Sequence, residues 1–261
     1  MILSVPPEVA RAANSEVRKV TSVRLNWLIG GGVVAAGLLA FLALGTGFQP
    51  GEHAQGFATG SGWAALLTTW VLVLTVAAAA AFGALGSGSE FRYGSLAVSS
   101  LFTPDRTLLL GAKLAVAAAF SLGTVLVMEV LGWAAMRLAG GSRVPMDGGF
   151  FGVLIGVALA ALCWAVIGTS VGFVLRSPTQ ALAAVLGWAV LEPLVWITAR
   201  AIGFGGLAAL LPVSSTVGAI SGGRYAKNAL IAPTPAAMAL MVLWSAAAGA
   251  GAWWFLTRRD I

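Results

Sequence analysis

Long apolar stretches separated by short polar links set the pattern of this chain. A membrane-crossing helix needs roughly 20 mostly apolar residues. Six stretches meet that length: "WLIGGGVVAAGLLAFLAL" (27–44), "WAALLTTWVLVLTVAAAAAFGAL" (63–85), residues 109–138, 150–175 and 179–197, and "PAAMALMVLWSAAAGAGAWWFL" (235–256). Trp27, Trp63, Trp133, Trp196, Trp253 and Trp254 fall near the ends of these spans. An amphipathic indole suits the headgroup zone there.

Two segments depart from the span-and-link rhythm. Residues 7–27, "PEVARAANSEVRKVTSVRLNW", wound as one helix, put Val9, Ala13, Val17, Val20, Val23 and Trp27 on one arc. Arg11 and Arg18 fall opposite, and Glu16 and Arg24 intrude on the apolar side. Such an imperfect stripe predicts either a helix lying along the membrane surface or a loosely ordered basic tail. Residues 198–234 are apolar but cut by Gly203, Gly205, Gly206, Pro212, Gly222 and Gly223. Their half-length pieces are too short to cross, which predicts re-entrant helices; an ordinary outer loop is the alternative.

Composition agrees with the pattern. Of 261 residues, 59% are hydrophobic and 9% charged, against about 45–50% and 25% in a soluble domain. The chain therefore reads as an all-α membrane protein forming one domain over 1–261. That domain comprises an amphipathic lead-in (1–26), a six-span bundle (27–256) and a short tail (257–261). Lys and Arg concentrate in the links that share a side with the N-terminus. The positive-inside rule then predicts both termini in the cytoplasm. The net charge of +6 is met by anionic lipid headgroups and topology, with no role for nucleic acid. The Ala, Gly, Trp and Arg bias suggests a bacterial plasma membrane.

Candidate chemistry is sparse. Cys163 and His53 are the single cysteine and histidine. An apolar flank makes Cys163 a buried, inert residue, and His53 a solvated loop residue. The chain contains no G-x-x-x-x-G-K-[ST] phosphate loop, H-E-x-x-H, C-x-x-C or G-x-S-x-G motif. The chain itself is expected to be no enzyme and to hold no cofactor. Glycines recur at Gly152-x-x-x-Gly156 and Gly168-x-x-x-Gly172, a spacing that permits close helix packing within one subunit.

Between the second and third spans lies "SGSEFRYGSLAVSSLFTPDR" (87–106). Thr103, Pro104 and Asp105 form a helix-start signal, with Thr103 as N-cap and Pro104 at the first helical position. Arg106 and Lys113 follow near the phosphates. "LAVSSLF" is a short piece able to lie against the span ends. "SEFRYGS" remains as a charged knuckle, which is either a solvated loop with an internal ion pair or a contact site.

The run Glu90-Phe91-Arg92-Tyr93-Gly94-Ser95, followed by Pro104, Arg106 and Lys113, resembles the permease subunits of type-2 ATP-binding-cassette exporters. That family shows an E-x-R-x-G-[TS] element, then Pro-x-Arg and a Lys; Ser95 stands where Thr is common. The resemblance implies a permease that moves a substrate outwards, with ATP and Mg bound by two copies of a cytosolic ATPase subunit. It implies a second permease subunit, an identical chain in a homodimer or a different one in a heterodimer, the homodimer being favoured. It further implies that Glu90, Phe91, Arg92, Tyr93, Gly94 and Ser95 belong to a coupling element that docks into the ATPase. Arg176, in the short link Leu175-Arg176-Ser177-Pro178, would make the minor contact. Glu90 and Arg92 would pair with the ATPase or brace the loop that does. A membrane structural or assembly protein without a transport cycle is the other reading.

Glu129 and Glu192 are acids inside spans. A charge at mid-span costs about 2.5–3.5 kcal/mol on insertion scales, so such residues face a partner or a cavity. Both lie in the half of the membrane that holds Arg137 and Arg200 on the assigned topology. They are either buried groups fixing helix packing, through ion pairs or as protonated carboxyls, or parts of a substrate path or gate. Pro193 beside Glu192 frees a backbone carbonyl and is expected to kink its span.

Overall fold

The computed structural model describes residues 6–46, 62–102, 105–141, 148–221 and 231–258. In hydrocarbon every backbone polar group needs a partner, and a helix supplies those partners within one segment. All regular structure among the described residues is helical: α1 Pro7–Ser22, α2 Arg24–Thr46, α3 Gly62–Arg92, α4 Ser95–Phe102, α5 Arg106–Gly140, α6 Gly148–Leu175, α7 Pro178–Ala201, α8 Gly205–Ala208, α9 Pro212–Ile220 and α10 Thr234–Arg258. Six of them, α2, α3, α5, α6, α7 and α10, are long and apolar enough to cross a membrane. This is an all-α, multi-pass membrane protein.

The centre of the bundle is the α3–α6 pair, with α5 and α10 also against α6 and α2 and α7 against α3. Small residues allow this. A side chain at Gly168 would meet the Ala80 carbonyl oxygen, and one at Gly172 would meet Ser87 Oγ. Gly156 approaches the Ala219 carbonyl of α9 in the same way. Three of the four glycines singled out by spacing thus face another helix of the same chain. Around them packs a core that includes Phe41, Met128, Phe150, Val157, Trp164 and Met241. Cys163 is buried in it.

Three expectations need correction. The lead-in helix does not run on to Trp27: it ends at Ser22, Val23 adopts extended backbone, and Trp27 belongs to α2. Its apolar Val9 and Val17 are exposed, as an arc turned to a membrane surface would be, while Ala12 and Glu16 are buried against the bundle. Glu16 is not an intruder but the anchor, since its charge finds cations in the bundle. At the start of α5, Asp105 and not Thr103 is the N-cap, accepting from Thr107 N at 2.8 Å and Leu108 N at 3.3 Å. Thr103 and Pro104 themselves lie outside the described residues, as does His53.

The segment before the last span divides as the apolar pieces suggest. After the turn at Gly203, α8 is one turn long, and α9 inserts against α6 and α10 with Ser214, Ser215, Thr216 and Ala219 buried. Residues 222–230 lie outside the description.

Candidate functional site

One end of the bundle gathers most of the charged and motif residues. There α3 and α6 finish, α5 and α7 start, and α10 ends. Arg106 Nη1 donates to the Leu256 carbonyl at 3.1 Å, tying α5 to α10. Leu96, Leu109, Leu110, Phe173, Ala252 and Leu256 form a second apolar cluster beneath.

The motif begins as helix, not as a projecting knuckle. Residues 89–92 are the last turn of α3, so only Tyr93 and Gly94 make the bend. Gly94 has φ 68°, a left-handed conformation that L side chains adopt poorly. Ser95 then opens α4, whose Leu96 is buried and whose Val98 and Leu101 are exposed.

Helix geometry turns Glu90 inward and leaves Arg92 outside, so the two do not pair. Glu90 is 6% exposed and sits in a closed ring of alternating charge. Glu16 Oε1 lies 2.5 Å from Lys19 Nζ, while Glu16 Oε2 accepts a short hydrogen bond from Lys113 Nζ. Glu90 Oε1 lies 2.9 Å from Lys19 Nζ and 2.8 Å from Lys113 Nζ. Lys19 also donates to Ser99 Oγ of α4 at 2.8 Å. The ring therefore joins α1, α3, α4 and α5. Lys113, expected near the phosphates, is instead 8% exposed.

Burial opposes the charge on Lys19, but its hydrogen bond to Glu16 and its attraction to Glu90 more than compensate. The Lys19 ammonium is held above the ordinary lysine range. In a low-dielectric setting the pairing must be complete, because a lone buried charge is far costlier than a pair. Glu90 Oε2 has no partner among the described residues.

Arg176 joins this end. It closes α6 in a left-handed conformation, φ 54°, which is strained for a residue bearing a Cβ. Its guanidinium stands 5.5 Å over the Phe91 ring, within cation–π range. Phe91 meets Phe173 edge to face at 5.7 Å. Ser177 caps α7, and Pro178 begins it in contact range of Gly88. The two sequence-predicted pieces, 90–95 and Arg176, thus meet in space.

The intramembrane acids lie elsewhere and differ from each other. Glu192 is fully buried and accepts four hydrogen bonds. Trp188 Nε1 (2.7 Å) and Val213 N (2.9 Å) donate to Oε2; Ser214 N (2.7 Å) and Trp196 Nε1 (3.2 Å) donate to Oε1. It is therefore a cap supplied from α7 to the N-terminus of α9, which has no side-chain cap of its own. Neutral donors do the work, not the ion pair that was one expectation. Pro193 sits inside a helix that continues unbroken to Ala201. Glu129 is 6% exposed, and its Oε1 has no hydrogen-bond partner among the described residues. Arg137, on the same helix, donates instead to the Gly141 carbonyl at 2.9 Å.

Sequence reasoning missed Glu16, Lys19 and Ser99 as members of the site. One signal was available. Lys113 stands in "LLLGAKLAVAAAF" with no acid within a turn, so it required a carboxylate from another element. Among the described residues no three His, Cys, Asp or Glu side chains converge as a metal site. Family models, curated proteins and solved structures were compared with the chain, and none matches.

Proposed function

We propose that the chain is the permease subunit of a type-2 ATP-binding-cassette exporter, moving a substrate outwards with ATP hydrolysed by a separate subunit. One observation carries the reading: the E-F-R-Y-G-S corner and Arg176 form a single braced surface at the charged end of the bundle. Glu90 and Phe91 are the braces, held by the lysines and by Arg176. What this surface presents is Tyr93, 77% exposed, and Leu101, 80% exposed, with Val98 between them in sequence. Clustered exposed apolar groups mark a contact with protein or with membrane, and in this reading the contact is the ATPase. In this reading the charged end is cytoplasmic, as the Lys and Arg distribution favours, and two ATPase subunits dock on a dimer of permeases.

The site residues then divide by role. Tyr93, Val98, Leu101 and Arg92 meet the ATPase, and Glu90, Phe91 and Arg176 position them. Glu129, with an unpartnered carboxyl oxygen, is the better choice of the two intramembrane acids for a substrate path. Glu192 has no free acceptor left for such a role.

Co-purification with a phosphate-loop ATPase tests this. Leu101→Asp should leave thermal melting unchanged but abolish recovery of the ATPase and its stimulated hydrolysis. Wild-type partner recovery and wild-type hydrolysis in that variant would remove the surface from the mechanism. Failure to recover any such ATPase with the native chain would favour a membrane structural protein.

A further inference from the structure

Behind α1, between the α1–α2 bend, α3 and the start of α5, lies a cavity of about 590 Å³. That is within the range of about 300–1,000 Å³ usual for ligand sites. Val20, Phe82, Leu85, Val116 and Ala117 give it an apolar wall. Tyr93 and Ser95 of the corner border it, as does Pro178 of the α6–α7 link.

The polar groups that line it are already committed. Ser22 Oγ donates to the Lys19 carbonyl at 3.0 Å, Asn26 Nδ2 to the Val20 carbonyl at 2.8 Å and Ser89 Oγ to the Gly86 carbonyl at 2.9 Å. Ser87 Oγ donates to the Gly83 carbonyl and Thr169 Oγ1 to the Ala165 carbonyl, each at 2.8 Å. Lys19 spends its three N–H groups on Glu16, Glu90 and Ser99, and Lys113 lies between Glu16 and Glu90. The two ammoniums and two carboxylates cancel. Arg92 is exposed at the mouth, ten residues along α3 from Phe82, a rise of about 15 Å. An ion taken in beside Phe82 would therefore lose its water and gain no partner, which is the costly case. Hydrocarbon carries no such penalty.

We propose that this cavity binds a compact, uncharged apolar molecule, and that the exported substrate belongs to that class. The binding site rests on the membrane fold alone and the substrate class on the exporter reading, so the two can fail separately. An occupant touches both the corner and the α6–α7 link, where the ATPase docks in that reading, so hydrolysis can respond to it.

The adamantane skeleton supplies matched probes, because it is compact and any charge on it must enter with it. The full chain in lipid nanodiscs is photolabelled with adamantyl diazirine, and the labelled peptides are mapped by mass spectrometry. Label should appear at 82–86 and 113–117. Unlabelled 1-adamantanol should displace it about tenfold more effectively than 1-adamantylamine or 1-adamantanecarboxylate. Gly86 lines the cavity, and a Cβ built there meets nothing within 4 Å. Gly86→Leu fills the space while favouring the helix, and Val116→Phe fills it from α5. Each should cut labelling of those two segments by about tenfold. Labelling at the exposed Val190, Leu191 and Leu194 should stay unchanged, as evidence of intact insertion. Equal displacement by all three adamantanes, or undiminished labelling in both filled variants, would overturn the site. In the complex with the ATPase, 1-adamantanol should raise hydrolysis by the native chain and not by Gly86→Leu. Labelling as expected with hydrolysis unmoved would leave the site standing and remove the substrate assignment.

Discussion

Lys19 Nζ lies 2.9 Å from Glu90 Oε1 although 71 residues separate them in the chain. This contact makes the docking of α1 electrostatic. Its apolar residues Val9 and Val17 face outward and suit a membrane surface, while Glu16 and Lys19 engage the bundle. A helix attached by a ring of four charges responds to the loss of any one of them.

The four members should not be equivalent. Lys113 has a side chain 9% exposed, and Lys19 one that is 35% exposed. Removing one partner from a buried pair costs about 3–5 kcal/mol, whereas solvent screening reduces the cost at an exposed pair to about 0–1. Lys113→Met should therefore lower the thermal midpoint more than Lys19→Met. Glu90→Lys, which places three ammoniums around Glu16, should unfold this end. Equal, small losses for both lysine variants would show that the ring adds little.

Alkaline pH should release α1. The Lys19 value is raised in the folded protein, so its contribution is complete below the ordinary lysine value of about 10.4. It is lost as pH rises through the higher folded value. Hydrogen exchange of the 7–22 amides, corrected for intrinsic rates, should be flat from pH 7 to about 10 and accelerate above that range. Acceleration centred near neutral pH would mean that another group controls the contact.

Glu192 predicts a local effect far from the ring. In Glu192→Gln one oxygen remains an acceptor, but the new NH₂ confronts two N–H donors. Each buried donor left unpaired costs about 1–3 kcal/mol. The variant should melt earlier and show fast amide exchange at 212–220, where α9 loses its cap. Unaltered melting would indicate that the cap is dispensable.

The spans, the surface helix and the short helices before the last span were legible because lipid leaves the backbone one economical solution and apolar length reports it. The motif was legible only as a string. Its division into an inward Glu90 and an outward Arg92 depends on α3 continuing to Arg92, and no local signal marks that end, since Gly86 and Gly88 would argue for stopping earlier. The ring was invisible for a different reason. Glu16, Lys19, Glu90 and Lys113 come from three distant segments, and sequence spacing carries no information on which helices become neighbours. Glu192 likewise reads as an isolated acid until α9 folds back to meet it.

The α3–α6 contact permits a sharper test, since it rests on absent side chains. A Cβ at Gly168 would strike the Ala80 carbonyl oxygen and approach its Cα at 3.1 Å. Both are backbone atoms, so no rotamer change relieves the contact and the helices must separate. At Gly83, on the facing helix, a Cβ would meet the Ala165 carbonyl oxygen and Thr169 N, the latter at 2.7 Å. Overpacking of this kind costs about 1–3 kcal/mol. Gly187, on α7, has nothing within 4 Å of an added Cβ, and Ala is the better helix former by about 0.8–1.0 kcal/mol in soluble hosts. Gly168→Ala and Gly83→Ala should each lower the thermal midpoint in detergent, and Gly187→Ala should leave it unchanged or raise it. The double variant Gly83→Ala/Gly168→Ala should lose less than the two single losses combined, because one separation of the helices relieves both contacts. Strict additivity would mean that the two glycines act at independent places, and the α3–α6 seam would lose its role as the centre of the bundle.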